Sequence, residues 1–124
     1  MLLDSNIIIY AAQAENEFLR EFIAINSPYV SALSYLEVLG YHQLTDTDKN
    51  YFEDFFKASQ ILSISEAVIS QAVQLKQRKK MSLGDAIIAG TAKIYDLTIV
   101  TRNVDDFNWI TELKLLNPFD SLRY

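Results

Sequence analysis

The sequence predicts an α/β fold built on a largely parallel sheet of four or five strands. Short apolar runs of strand length, Met1 to Leu3, Pro28 to Ser31, Ile61 to Ile64 and Leu97 to Thr101, alternate with longer stretches whose apolar residues recur at helical spacing. The first run is apolar at every position, as in a strand buried on both faces, and closes on Asp4-Ser5-Asn6, polar side chains that can start a helix. Open α/β sheets gather ligands at the carboxyl ends of their strands, which is where this pattern delivers Asp4.

After that strand, residues 5–12 read as a short helix dense in isoleucine, and residues 15–25 as a second helix with Phe18, Leu19, Phe22 and Ile23 along one side. Pro28 is tolerable only at the start of the second strand. Ser31 or Ser34 can cap a third helix, in which Leu33, Leu36, Glu37 and Gly40 fall on neighbouring turns. Glu37 is thereby expected on the core-facing side, where an unpaired carboxylate requires a cation or a proton. Thr45, with Asp48 three residues on, opens a further helix in the manner of a capping box. Its aromatic stripe, Tyr51, Phe52, Phe55 and Phe56, is either core or, with Phe18 and Phe22, an exposed binding surface.

Ile61 to Ile64 is the third strand, and Ser65 caps a helix reaching about Lys80 with Ala67, Val68, Ala72, Val73 and Leu75 turned inward. The helix ends in the basic cluster Lys76, Arg78, Lys79 and Lys80, which either complements the helix dipole or holds phosphates leading into the site. Ser82 begins the next helix with Asp85 in its first turn, where amide dipoles favour the ionised carboxylate, and Ala86, Ile88, Ala89, Gly90 and Ala92 allow close packing. The fourth strand, Leu97 to Thr101, delivers Asn103, Asp105 and Asp106, of which Asp105 is expected to face solvent. Trp109 and Ile110 are placed over the sheet edge, residues 113–117 form a last strand stopped by Pro118, and Asp120 to Tyr124 form a tail.

The chain of 124 residues is read as one domain, 1–124, since half of it is apolar and three glycines and two prolines are too few for linkers. The lack of cysteine excludes disulfides and thiolate-bound zinc, and a single histidine, His42, excludes the usual multi-histidine zinc sites. Charges interrupt every apolar run before membrane-spanning length, and no basic stretch precedes Met1-Leu2-Leu3, so a cytoplasmic protein with no membrane partner is expected. The formal charge of −5 weighs against an ordinary nucleic-acid binding module. It weighs less against a metal nuclease, whose clustered acids contribute to the deficit, and it suits a basic partner.

LLDSNIIIY at 2–10, SLGDAIIAGTA at 82–92 and VTRNVDDF at 100–107, with Glu37 between them, resemble the PIN domain, and the short chain looks most like the VapC-type toxin ribonucleases of toxin–antitoxin pairs. The resemblance covers Met1 to about Phe119. It implies a three-layer α/β/α fold and a magnesium-dependent endoribonuclease, with manganese as a substitute, that leaves 5′-phosphate and 3′-hydroxyl ends. Asp4, Glu37, Asp85 and Asp106 would be its catalytic, metal-holding acids, supported by Ser5, Asn6, Ser82, Thr101 and Asn103. Asn103 departs from the fully acidic version of the pattern. Hard carboxylate oxygens agree with Mg²⁺ or Mn²⁺. The resemblance further implies a homodimer and a cognate antitoxin that inhibits it.

Two other readings remain open at this point. One is a catalytically weakened PIN-like scaffold that binds RNA or protein, which Asn103 and the acidic total charge keep open and the retained Asp4, Glu37 and Asp85 argue against. The other is a metal-dependent phosphatase, weaker because Asn6 stands where an aspartyl-phosphate-forming enzyme carries its second acid. No glycine-rich phosphate loop is present.

Overall fold

The computed structural model describes residues 1–121. Strands β1 (Leu2–Leu3), β2 (Tyr29–Ser31), β3 (Gln60–Leu62), β4 (Ile99–Val100) and β5 (Leu115–Leu116) form one sheet in the order β3-β2-β1-β4-β5. Every neighbouring pair is parallel. The connecting helices are α1 (Ser5–Ala11), α2 (Glu17–Asn26), α3 (Ala32–Leu39), α4 (Asp46–Ala58), α5 (Glu66–Arg78), α6 (Leu83–Tyr95) and α7 (Pro118–Ser121).

Alternation along very short strands divides the core. Leu2 and Ile99 point to one face, against Val68, Ala72 and Leu75 of α5 and the small residues of α6. Leu3, Val30 and Val100 point to the other, against Ile7 and Ile8 of α1, Leu19 and Phe22 of α2, and Phe52 and Phe56 of α4. The sheet thus lies between two helical layers, the α/β/α arrangement expected. Because each central strand offers one or two residues to each face, both layers are needed to exclude water from it.

The helix starts follow the expected caps. The Ser31, Thr45, Ser65 and Ser82 hydroxyls each accept from a backbone N–H in the first turn of the helix that follows. Of the two serines proposed for α3, Ser31 is the cap. Neither helix ending in the left-handed region does so on glycine: Ser27 closes α2 at φ 44° and Asp96 closes α6 at φ 53°.

Several expectations are corrected. Glu37 is not on the core side of α3; that side is Leu33, Ser34 and Val38, while Glu37 and Leu36 are exposed. Ala67 and Val73 also face solvent, since the side of α5 buried in the core is Val68, Ala72 and Leu75, spaced at i, i+4 and i+7. Of the aromatic stripe, Phe52 and Phe56 are core, and Tyr51 and Phe55 are half-buried at its rim. Ile110 is buried and Trp109 half-buried against the α5–α6 layer. Asp120 belongs to α7 rather than to a tail, and Leu122 to Tyr124 lie outside the described residues.

The α5–α6 contact is the most extensive between helices, and Gly90 makes it possible. A Cβ at that position would stand 2.9 Å from the Val68 carbonyl oxygen and 3.2 Å from the Ala72 nitrogen, both backbone atoms that cannot swing away. Gly90→Ala should therefore destabilise the fold by roughly 1–3 kcal/mol, despite the ~1 kcal/mol that alanine gains over glycine in a helix. Urea unfolding of the purified variant measures it, and a gain in stability would show that the two helices can move apart freely.

Candidate active site

Chain order within the sheet turns at β1, with β2 on one side and β4 on the other, and Asp4 emerges at that switch point. Its backbone occupies the N-cap position of α1, but its side chain caps nothing. Instead Thr101, at the end of β4, donates its hydroxyl to Asp4 Oδ2 at 2.9 Å, and the same hydroxyl oxygen accepts the Asn103 N–H at 3.0 Å. Asp4 is 7% exposed and Thr101 fully buried. Burial raises the Asp4 pKa above the ordinary carboxylate value, Thr101 and the Ser5 N–H oppose that rise, and Glu37 and Asp106 reinforce it.

Glu37 reaches the same place from α3. Ser5 Oγ donates to Glu37 Oε1 at 2.8 Å. With that proton committed, the buried Ser34 hydroxyl, 2.8 Å from Ser5 Oγ, becomes the donor to Ser5. The chain Ser34 to Ser5 to Glu37 thus orients an exposed carboxylate from a buried base. Ser34 was expected only as a possible cap; its signal in the sequence was a serine three positions before Glu37, one helical turn away.

Asp85 arrives on the first turn of α6, its N–H held by Ser82 Oγ at 3.1 Å. Its pKa rises to about 6, chiefly from burial, then from repulsion by Asp4 and Asp106, with Ser82 opposing and Glu37 adding a little more. Asp106 follows Asn103 in a short 3₁₀ turn. Asp4, Glu37, Asp85 and Asp106 line one cavity of about 520 Å³, together with Ser5, Asn6, Ser82 and Asn103. Thr101 supports the cavity from behind rather than lining it. Asp105 lies outside it, exposed, in an adjoining hollow beside Lys79 and Lys80. Lys76 and Arg78 are engaged elsewhere, Lys76 with the Met81 carbonyl at 2.9 Å and Arg78 with Glu112 at 3.3 Å.

The donor set is hard oxygen, matching the chemistry of Mg²⁺ or Mn²⁺. Among the described residues, however, no three acidic, histidine or cysteine side chains stand ready to grip one ion together. Magnesium does not need them to, because it keeps several waters and takes one or two carboxylates with the substrate phosphate. Asp4 and Asp85 fit that lesser demand, since burial raises the pKa of both and nearby carboxylates add to the rise, Glu37 and Asp106 at Asp4, and Asp4, Asp106 and Glu37 at Asp85, a cost that a cation would relieve.

The PIN domain profile matches residues 1–112. The chain belongs to the PIN domain family. Solved structures of similar fold include a chain of a toxin–antitoxin complex from Klebsiella pneumoniae, 25% identical over 94% of this chain and 96% of that one, with a TM-score of 0.75. FitAcB from Neisseria gonorrhoeae aligns at 24% identity, 95% and 97% coverage and TM-score 0.76. DNA-bound VapBC from Salmonella typhimurium aligns at 20%, 93% and 95%, and 0.81. The last two carry the fold alone. None of the curated proteins matches the chain in sequence.

The acids of this PIN domain leave a signature in its stability. The folded Asp85 holds a proton up to about pH 6 where the unfolded chain releases it near 3.8, so stability falls as pH rises through that window and stays lower above it. Asp85→Asn should flatten that decline and raise stability at neutral pH in chelator by on the order of 1 kcal/mol, discounted because the group is half open to screening solvent. Thermal unfolding across the window measures it; an unchanged pH profile would mean that neither burial nor the neighbouring acids raise the Asp85 carboxyl.

Proposed function

We propose that this PIN domain is a divalent-metal-dependent endoribonuclease, the toxin of a toxin–antitoxin pair, hydrolysing RNA phosphodiester bonds to leave 5′-phosphate and 3′-hydroxyl ends. The observation that carries the reading is the single cavity at the sheet's switch point, in which Asp4, Glu37, Asp85 and Asp106 converge and Asp85 is driven to about 6. A bound Mg²⁺ or Mn²⁺ would supply charge neutralisation at the phosphate and lower the pKa of an attacking water. Asp4, fixed by Thr101, and Asp85, fixed by its place on α6, would hold the ion; Asp106 would complete the far wall. Glu37, oriented by Ser5 and Ser34, would position the attacking water and accept its proton.

One observation favours a second reading. The acids as they stand do not close into a three-ligand set, and Asn103 occupies a place that the fully acidic pattern gives to an acid. A PIN scaffold that binds RNA or protein without cleaving satisfies the static geometry better than the nuclease does; the raised carboxylate pKa values are what the nuclease reading explains and the scaffold leaves idle. The phosphatase reading gains no support.

Partnership is carried over from the toxin–antitoxin complex of similar fold. An apolar cavity of about 560 Å³, lined by Val38, Tyr41, Leu44 and Phe52, shares Ile9 and Glu37 with the acid cavity. An antitoxin segment lying along it would bring a basic side chain to the acids. A homodimer would use the exposed Tyr35 and Leu36 of α3 with Leu83 of α6, rather than the aromatic stripe, which is largely core. Among the described residues no helix is long and apolar enough to cross a membrane, and the site of action we assign is the cytoplasm.

With purified protein and Mg²⁺, Asp4→Asn and Asp85→Asn should each lower RNA cleavage roughly a thousandfold, the rate equivalent of several kcal/mol of lost charge stabilisation, with circular dichroism unchanged. RNA binding without cleavage by the unaltered chain would decide for the scaffold. Leu36→Asp should turn a dimer into a monomer in light scattering; a wild-type monomer would remove the homodimer and leave the chemistry standing.

A further inference from the structure

Beside the acid cavity lies a second hollow of about 340 Å³, and the two share Ser82, Asp85 and Asp106 as a common wall. Its outer wall is Lys79, Lys80, Met81, Asp105 and Trp109. The two lysines differ from the rest of their cluster. Lys76 is bound to the Met81 carbonyl. Arg78 is committed to Glu112, which Lys93 also binds at 3.2 Å. Neither Lys79 nor Lys80 is ion-paired to a carboxylate among the described residues. The Arg78 guanidinium and the Lys79 ammonium lie 5.3 and 5.6 Å from the indole centroid, so the aromatic surface sits among cations.

An aromatic ring and two unpaired cations at the edge of an acid cavity are the elements of a single-strand nucleic-acid subsite: bases stack on the ring whatever their identity, and phosphates meet the cations. The geometry points to a nucleotide subsite in this hollow, in which one unpaired base of the RNA strand stacks on Trp109 while Lys79 and Lys80 hold the phosphate next to the one in the acid cavity. The inference rests on the ribonuclease reading, since the shared wall gives the strand its direction into the acids. It gives a chain of charge −5 a place to seat a polyanion beside four carboxylates: Lys79 and Lys80 line one shoulder of the site, with Asp105 as the one acid there that the acid cavity does not share. It also selects single strands, because a base inside a duplex has both faces stacked on its neighbours.

Trp109 is the only tryptophan in the chain, so its fluorescence reports the subsite directly. The intact protein is titrated, in calcium buffer, with a short end-labelled single-stranded oligoribonucleotide of mixed sequence, following label anisotropy and tryptophan emission together. Quenching that tracks binding is expected. Trp109→Leu should weaken binding roughly tenfold and Trp109→Phe much less, in line with the loss of one stacked base. Lys79→Gln with Lys80→Gln should flatten the dependence of log affinity on log salt by roughly 0.7 per lost phosphate contact. A duplex of the same sequence should leave the emission unchanged. Binding without quenching, equal quenching by the duplex, or a Trp109→Leu protein that binds as tightly as the original would overturn the subsite and leave the ribonuclease standing. No RNA binding at all would overturn both.

Discussion

A hydroxyl donated from the end of β4 to a carboxylate at the end of β1 is the contact on which the site depends. Thr101 and Asp4 are 97 positions apart in the chain, yet the parallel register that pairs Leu3 with Val100 sets them side by side as the next residue on each strand. Burying an ionisable group with no partner costs several kcal/mol. One hydroxyl offsets part of that and does not neutralise the charge, so Asp4 remains a carboxylate of raised pKa with an oxygen still turned to the cavity. A lysine or arginine in place of Thr101 would satisfy Asp4 fully and leave nothing for a cation to gain.

The other acids are placed by packing rather than by contact with Asp4. Leu2 and Leu3 are both buried, one in each layer, so helices on opposite faces meet at the same strand end. From one layer, α6 approaches α5 across Gly90 closely enough to bring its first turn, and Asp85, to the rim. From the other, α1 presents Ser5 to Glu37 and Ser34. Each acid therefore belongs to a different rigid element, and their mutual repulsion is borne by a core that surrounds the strand end on two sides.

The periodicity of the sequence carries much of this. The strand–helix alternation, the hydroxyl caps and the small residues of α6 each rest on local physics, and each stands in the folded chain where the pattern places it. Helical spacing alone puts Glu37 with Leu33 and Gly40; in the fold the buried side of α3 is Leu33, Ser34 and Val38, and the exposed Glu37 meets Ser5 of α1 instead. Ala67 and Val73 fail likewise, since α5 is covered on one narrow stripe and apolar residues beyond it stay wet. Asp4 is the reverse case. Its position reads as a helix cap, and what removes it from that duty is a threonine brought in by the sheet, which no local pattern encodes. Ser34 depends in the same way on a distant partner, Ser5 in another helix, and only its spacing from Glu37 hints at the link.

Charge distribution, finally, decides how an acidic protein can work on an anionic substrate. A polyanion approaching four carboxylates is repelled over a distance of about a Debye length, roughly 8–10 Å in physiological salt. A cation in the cavity reverses the sign at the centre, but only for a phosphate already close to it. Approach requires positive charge within the same range and outside the cavity. Lys76 and Arg78 contribute to the field there while being tied to the protein, whereas Lys79, over the Trp109 ring, and Lys80, across the wall formed by Ser82, Asp85 and Asp106, have no carboxylate partner among the described residues. On the opposite flank the acid cavity opens past Ile9 and Glu37 into an apolar hollow with no such lysine, suited to a protein segment rather than to a strand of nucleic acid. The two flanks differ in chemistry, and under the proposed function an inhibitor seated on one side would not need to imitate a substrate on the other to exclude it, because both would end at the same four acids.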